Sequence, residues 1–416
     1  MKKTVRLMLS VTMVCILFAN TAFSQQESNI EVTKLKENFY RLTSKVPYYS
    51  NFLAYVTQEG ILLVDAGQKE TGNEIKSVLK TIATGSPEVK ILINTHAHID
   101  HTGGNLELAG RPLIIGPDIL RPTLRDYSYV LYEFPDNALP SLTFKDSMNV
   151  YFGDERIRII STPGSHDATD VIVHFTKAKI VCVGDVYEGM TIPSIDVYTG
   201  DLLNFPKVID KILGLVPNDV TIFSGHDVEC DVIKLKQSGD MISNMAKIVK
   251  EEISKGKDIE TMQKEDILKD WAEFEDGFGG SRNVWISNLA KAGPSKFLGS
   301  LAGELYKVLI KSDADAAIDH YYELKREHPK EYPFYGSLIN RTGYWLLDKG
   351  RNTDAIKIFE LLTKEFPNTS YGYDSLGEAL MKAGRNKEAM EAYEKSLQLD
   401  PENKNAEEML KQLREN

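Results

Sequence analysis

The sequence predicts an α/β domain followed by an all-α repeat domain. Two observations carry this. Strand-like runs alternate with amphipathic helical segments from about residue 30 to 230, and a 34-residue period runs through the C-terminal part. The 416 residues, 42% hydrophobic and 26% charged, have ordinary globular composition, which excludes wholesale disorder. At about 150 residues per domain, that length suits two domains or one with an appendage. A net charge of −11 argues against a nucleic-acid surface, which needs a basic stripe.

Residues 1–24 read as a cleaved secretory signal peptide. Lys2, Lys3 and Arg6 precede an apolar run from Leu7 to about Phe18, with small residues at Ala22 and Ser24. The run holds Ser10 and Thr12 and falls short of the ~20 residues a membrane span needs, so no stable membrane anchor is expected. Cleavage removes three cations and no acid, making the balance more negative still. The mature chain is expected to be periplasmic or secreted. It keeps Cys182 and Cys230, and Cys182 within the apolar run 179–183 reads as a buried free thiol.

Over 25–295 the strands come first. Phe39–Leu42, Phe52–Val56 and Ile61–Asp65 read as successive strands, the last two joined through Gly60. Lys69–Thr84 is an amphipathic helix, and Lys90–Asn94 is a buried strand by its continuous apolar run. That strand runs into His96-Ala97-His98-Ile99-Asp100-His101 and then Gly103-Gly104, whose backbone can turn sharply beside a metal. Strand ends passing into loops are where α/β sheets assemble sites. His96 and His98 flank one extended residue and can turn to one metal, while Asp100 and His101 can reach a second. Residues 236–295 read as a helical extension with Trp271, Phe274, Phe278 and Trp285.

The His-x-His-x-Asp-His run after a buried strand resembles the signature of the metallo-β-lactamase superfamily. The resemblance implies an αββα sandwich over about residues 30–235 with a metal site at the edge of its two sheets. It also implies three further ligands, each after its own strand: His166 after Thr162-Pro163-Gly164, Asp185 after Ile180–Gly184, and His226 after Thr221–Gly225. One metal would take His96, His98 and His166. The other would take Asp100, His101 and His226, and Asp185 would bridge both. Imidazoles and carboxylates without a thiolate suit two Zn²⁺, with Fe or Mn as alternatives. Asp65 matches a family aspartate that supports the metal loops. The implied activity is hydrolysis, in which a metal-bound hydroxide attacks an ester, thioester, lactone or amide carbonyl while Asp100 orients the water and carries its proton. His174, His320 and His328 are expected to be bystanders.

The ligand gaps look like those of B1-type zinc β-lactamases, but three positions depart. Those enzymes have Cys at the Asp185 position, a Lys where this chain has Glu188, and an Asn near Val197. With His101, these changes point to Asp-bridged hydrolases such as glyoxalase II-like thioesterases and lactonases, and leave β-lactam cleavage as the alternative. Tyr48, Tyr49, Tyr187 and Glu188 are candidate pocket residues, as is the aromatic group Tyr127, Tyr129, Tyr132 and Phe134. The expected partner is a small-molecule carbonyl substrate.

Residues 296–416 carry the repeats. Gly343 pairs with Gly377, Gly350 with Gly384, Ala355 with Ala389, Phe359 with Tyr393 and Pro367 with Pro401, all at an offset of 34. Helix-turn-helix units of this length, with small residues at the crossing, are the tetratricopeptide pattern. An earlier unit runs through Leu305, Ala317, Tyr321, Leu324 and Pro329, and Glu402–Arg414 reads as a polar capping helix. Such an array offers a groove for a protein or peptide partner, or a self-association surface. A third reading follows, an adaptor whose repeats recruit partners while the metal domain serves as scaffold.

Overall fold

The computed structural model describes residues 28–45, 49–108, 112–125, 134–196, 200–227, 230–275, 280–292, 301–332 and 334–415. Residues 1–24, Tyr48, Tyr127, Tyr129, Tyr132, Val197 and Phe278 lie outside the described residues. None of the described helices is long and apolar enough to cross a membrane.

Two sheets form the front part. The first runs in the order β1 (Ile30–Lys36), β2 (Phe39–Ser44), β3 (Ser50–Val56), β4 (Ile61–Val64), β5 (Val89–Ile93), β6 (Leu113–Pro117), β7 (Leu142–Phe144). It is antiparallel from β1 to β4 and parallel from β4 to β7. The second runs β12 (Thr221–Ser224), β11 (Ile180–Gly184), β10 (Val171–Phe175), β9 (Glu155–Ser161), β8 (Ser147–Phe152). Within it, β11 and β12 are parallel and the other pairs antiparallel.

Side-chain alternation builds the layers, because successive strand residues point to opposite faces. In β4, Leu62 and Val64 enter the inter-sheet core, while Ile61 and Leu63 pack outward with Ile75 and Leu79. The last two belong to α1 (Gly72–Ile82). In β11, Ile180 and Cys182 point inward, and Val181 and Val183 meet α5 (Phe205–Leu215) through Val208, Ile209 and Ile212. Helix, two sheets and helix make the four expected layers. Among the described residues, the short helices between α1 and α5 are α2 (Ile99–Thr102), α3 (Asn105–Leu108) and α4 (Leu120–Arg125).

The strand and helix expectations hold with local changes. β1 was not among the expected strands, and it pairs with β2 from Ile30↔Ser44 onward. The helix expected over 69–84 is a short 3-10 turn, Lys69–Thr71, followed by α1, which stops at extended Ala83. Gly103 has φ −58°, an ordinary helical value, so its turn needs no special backbone freedom. Both Cys182 and Cys230 are buried free thiols.

His174 is the bystander with an energetic cost. It sits in β10, 3% exposed, and neither ring nitrogen has a hydrogen-bond partner among the described residues. Burial, with Arg158 and Arg156 nearby, lowers its pKa. A base whose folded pKa lies below its unfolded value (~6.5) favours the unfolded chain when protonated. Its stability contribution is therefore complete above that value and is lost as pH falls through the folded pKa. His174→Phe removes the unpaired imidazole, so it should match or exceed wild-type stability by about 1 kcal/mol at pH 7. It should also lose less than wild type on acidification to pH 5. Denaturant midpoints at the two pH values check this, and equal acid losses would sink it.

Past α5, a helical region packs on the second sheet's side. It comprises α6 (Val232–Ser254), α7 (Ile259–Lys264), a 3-10 segment (Lys269–Phe274) and α8 (Arg282–Lys291). Its buried Met241, Met245, Met262 and Trp285 close one apolar cluster with Ile192, Leu202 and Phe205. The helical expectation for 236–295 thus holds over its described part, which packs against the segment leading into α5.

Three helix pairs and a final helix follow: α9 (Leu301–Leu309) with α10 (Ala314–Glu327), α11 (Gly336–Asp348) with α12 (Asn352–Glu365), α13 (Ser370–Lys382) with α14 (Asn386–Leu399), then α15 (Lys404–Glu415). A Cβ at Gly343 would lie 2.4 Å from the Phe359 ring, and one at Gly377 would lie 2.9 Å from Tyr393. The repeated glycines therefore let the second and third pairs cross closely. His320 faces Glu304 and Glu323, and His328 faces Glu331 and the edge of the Tyr332 ring.

Candidate metal centre

The C-terminal ends of β5, β11 and β12 and the turn after β9 converge at one edge of the sandwich. His96 and His98 follow β5, Asp100 and His101 lie in α2, and His166 follows β9. Asp185 follows β11 and His226 follows β12. All seven expected ligands come together. His96, His98, His166 and Asp185 form one group, and Asp100, His101 and His226 another, with candidate ligand atoms in each within 4.8 Å of one another. Asp185 Oδ2 lies 3.3 Å from His96 Nε2, 3.6 Å from His166 Nε2, 3.4 Å from His101 Nε2 and 3.1 Å from His226 Nε2. One carboxylate oxygen therefore faces both groups.

Four of the five imidazoles are aimed by their other nitrogen. His101 Nδ1 donates to Asp65 Oδ2 at 2.9 Å, His166 Nδ1 to the Ser194 carbonyl at 2.9 Å, and His226 Nδ1 to the Tyr49 carbonyl at 2.6 Å. His96 Nδ1 lies 3.1 Å from Thr95 Oγ1. These contacts fix the tautomer that leaves a lone pair facing the centre. Asp65 also accepts from Thr95 N and Oγ1, both at 2.7 Å, and adopts φ 62° to do so. Asn51 ties the His226 loop down by donating to the Ser224 and Asp227 carbonyls.

The electrostatics fit a cation. Burial opposes charge on His101, yet Asp185, Asp100 and Asp65 hold its pKa well above the usual value. His226 is raised in the same way, chiefly by Asp185 and Asp100. His98 is raised to about 9 despite burial, because Asp196, Asp167 and Asp100 surround it. Burial would also raise the Asp100 and Asp185 carboxyls, but the imidazoles hold both well below the usual carboxylate range. Carboxylates that favour positive charge on neighbouring imidazoles favour a divalent ion that displaces those protons. His166 Nε2 and His98 Nδ1 approach to 2.9 Å, and His101 Nε2 and His226 Nε2 to 3.4 Å. Buried His96 Nε2 and Asp185 Oδ1 have no hydrogen-bond partner among the described residues. A Cβ at Gly225 would sit 2.1 Å from Asp185 Oδ1, so backbone alone fits beside that carboxylate. The donor set suits a borderline divalent metal.

The expected pocket residues fare differently. Tyr187 is 3% exposed within the outer core against Val186 and Cys230, so it is a packing residue. Tyr49 reaches the site through its backbone carbonyl, and its ring is exposed. Glu188 is buried beside the ligands, near Asp185 and His226, and burial with the Asp185 charge raises its carboxyl to about 7. Phe134 packs with Ala97, Leu120 and Leu139 as core. Thr95, Ser194 and Asp196 escaped sequence reasoning. Thr95 was findable from its place before His96, but Ser194 and Asp196 lie in an irregular loop without periodicity.

Fold and site together define a metal-binding α/β sandwich followed by helical repeats. The metallo-beta-lactamase superfamily model matches residues 46–226, and the tetratricopeptide repeat model matches 370–403. The chain thus carries a metallo-beta-lactamase superfamily domain and a tetratricopeptide region. Metallo-beta-lactamase type 2 of Elizabethkingia meningoseptica is 24% identical over 233 residues, covering 53% of this chain and 88% of that protein. Hydroxyacylglutathione hydrolase of Brucella anthropi is 28% identical over 138 residues, 33% of this chain and 46% of that protein. A solved metallo-beta-lactamase from Pontibacter korlensis is 23% identical, covers 52% of this chain and 99% of its own, and has a TM-score of 0.45.

Proposed function

We propose that the front domain is a binuclear metal-dependent hydrolase of small carbonyl compounds: esters, thioesters, lactones or amides. The observation that carries the reading is the pair of facing ligand groups sharing Asp185, with buried His96 Nε2 and Asp185 Oδ1 lacking a hydrogen-bond partner among the described residues. His96, His98 and His166 would hold one metal and Asp100, His101 and His226 the other, with two Zn²⁺ the best match and Fe or Mn the alternatives. Such metals supply Lewis acidity and lower the pKa of water toward neutrality. Within the chain, Asp65, Ser194 and Tyr49 keep three imidazoles aimed inward throughout turnover. Asp100 is the more exposed site carboxylate, 16% against 2% for Asp185, so it suits accepting the water's proton and passing it outward. Asp185, sealed from solvent, suits holding charge in place.

The reading includes export with loss of residues 1–24, resting on their sequence pattern, and a division into metal and repeat domains near residue 295. The repeats are read as a docking module for a protein or peptide.

Relatives named for both lactamase and thioester chemistry leave two substrate classes. Glu188 favours the second, because it puts an acid where the lactamases place the Lys that holds an anionic drug's carboxylate. The test is metal quantitation on purified mature protein, with a panel of nitrophenyl esters, a thioester, a lactone and a chromogenic cephalosporin. Two metal equivalents with turnover of a non-lactam member are expected. Turnover of the cephalosporin alone would establish the lactamase reading instead. Metal-free protein inactive on every member would favour the adaptor reading.

A further inference from the structure

We infer that Glu188 is a positioning residue for one half of the metal centre, the His98/His166 half, and acts through residues 194–196 rather than as a ligand. This deepens the proposed function and rests on that reading. The Glu188 carboxylate accepts from Ser194 N at 2.6 Å and from Ser194 Oγ at 2.8 Å. The same Ser194 presents its carbonyl to His166 Nδ1 at 2.9 Å. Two residues on, Asp196 N donates to the His166 carbonyl at 2.8 Å, and Asp196 Oδ2 faces His98 Nε2 at 3.7 Å. The loop returns by donating Asp201 N to the Ser165 carbonyl and Asn204 Nδ2 to the Gly164 carbonyl. Residues 194–196 and 201–204 therefore bond to residues 164–166 and reach His98, while none of these bonds goes to His101 or Asp100.

Among the loop's described residues, 188–196 and 200–201, none belongs to a helix or strand, so their placement depends on what pins them. Glu188 pins them from the inside. From the outside, Ile192 and Leu202 are buried against Met241, Met245 and Trp285 of the helical region. Glu188 also lies within ligand-forming reach of Asp185 and His226, which makes a direct ligand the rival role.

The two roles separate on substitution to Gln. Its side-chain oxygen can accept from Ser194 N while its amide donates to Ser194 Oγ, so Glu188→Gln keeps the brace and loses the anionic ligand. Glu188→Ala loses both. The experiment is zinc titration of the metal-free full chain against a competing chelator, with circular dichroism confirming the fold of each variant. Two backgrounds are used, His226→Ala and His98→Ala, which leave the first or the second half-site as the principal binder. Glu188→Ala should weaken zinc about 10–100-fold in the His226→Ala background, the usual cost of losing an outer partner, and leave the His98→Ala background unchanged. Glu188→Gln should stay within a few-fold of its parent in both. Ser194→Ala, which removes only the hydroxyl half of the brace, should repeat the selective loss in smaller measure and serves if Glu188→Ala does not fold. Equal losses for Gln and Ala, or equal losses in both backgrounds, would overturn the proposal. Failure of wild type to bind zinc, iron or manganese would instead overturn the hydrolase reading on which it rests.

Discussion

Asp185→Ala should leave a folded protein that no longer loads two metals. Asp185 Oδ2 lies within 3.6 Å of a ring nitrogen on each of four histidines. Its removal takes an anionic ligand from both groups at once, a larger loss than the roughly 10–100-fold that an outer partner costs. The imidazoles also lose the carboxylate that favours positive charge on His101 and His226. His101 would then keep Asp100 and Asp65, and His226 would keep Asp100. Metal quantitation after dialysis should find fewer than two equivalents, and turnover should fall by orders of magnitude. Two retained equivalents would refute the bridging role. Circular dichroism of the metal-free variant separates metal loss from unfolding.

Asp65→Ala should be costly for a different reason. One buried carboxylate accepts three donors: Thr95 N, Thr95 Oγ1 and His101 Nδ1. Stranding buried donors costs about 1–3 kcal/mol each, so a loss of about 3 kcal/mol or more is expected in denaturant melts. Alanine at φ 62° adds to it, since only Gly, Asn and Asp adopt that region readily. Asp65→Asn is the sharper test. Its amide N–H would face His101 Nδ1, force that nitrogen to accept, and move the ring proton to Nε2, which faces the centre. This variant should melt closer to wild type than Asp65→Ala, yet lose metal at the half-site of His101. Unchanged metal content in both variants would show that Asp65 does not aim that ring.

Much of this molecule was legible in the chain. The strands at Phe52–Val56, Ile61–Val64 and Ile180–Gly184 announce themselves because buried strands need unbroken apolar runs. The repeats announce themselves because each unit must solve the same crossing, which is why Gly343 and Gly377 recur opposite Phe359 and Tyr393. The ligands were legible because metal chemistry tolerates few residue types, and four of them fall within six positions after one strand.

Other features became visible only in three dimensions. Tyr187 looks like a pocket aromatic beside Asp185, but strand-end geometry turns it into the outer core. Tyr49 matters through its carbonyl, an atom every residue carries and no sequence pattern marks. The roles of Glu188, Ser194 and Asp196 depend on a loop without periodicity folding back onto His166. By itself, then, the sequence determined which elements form and which side chains can bind metal, because periodicity and ligand chemistry are local properties. Only the tertiary structure decided which nitrogen of each imidazole faces inward and what holds it there, because those contacts join residues such as Asp65 and His101, or Tyr49 and His226, that are distant in the chain.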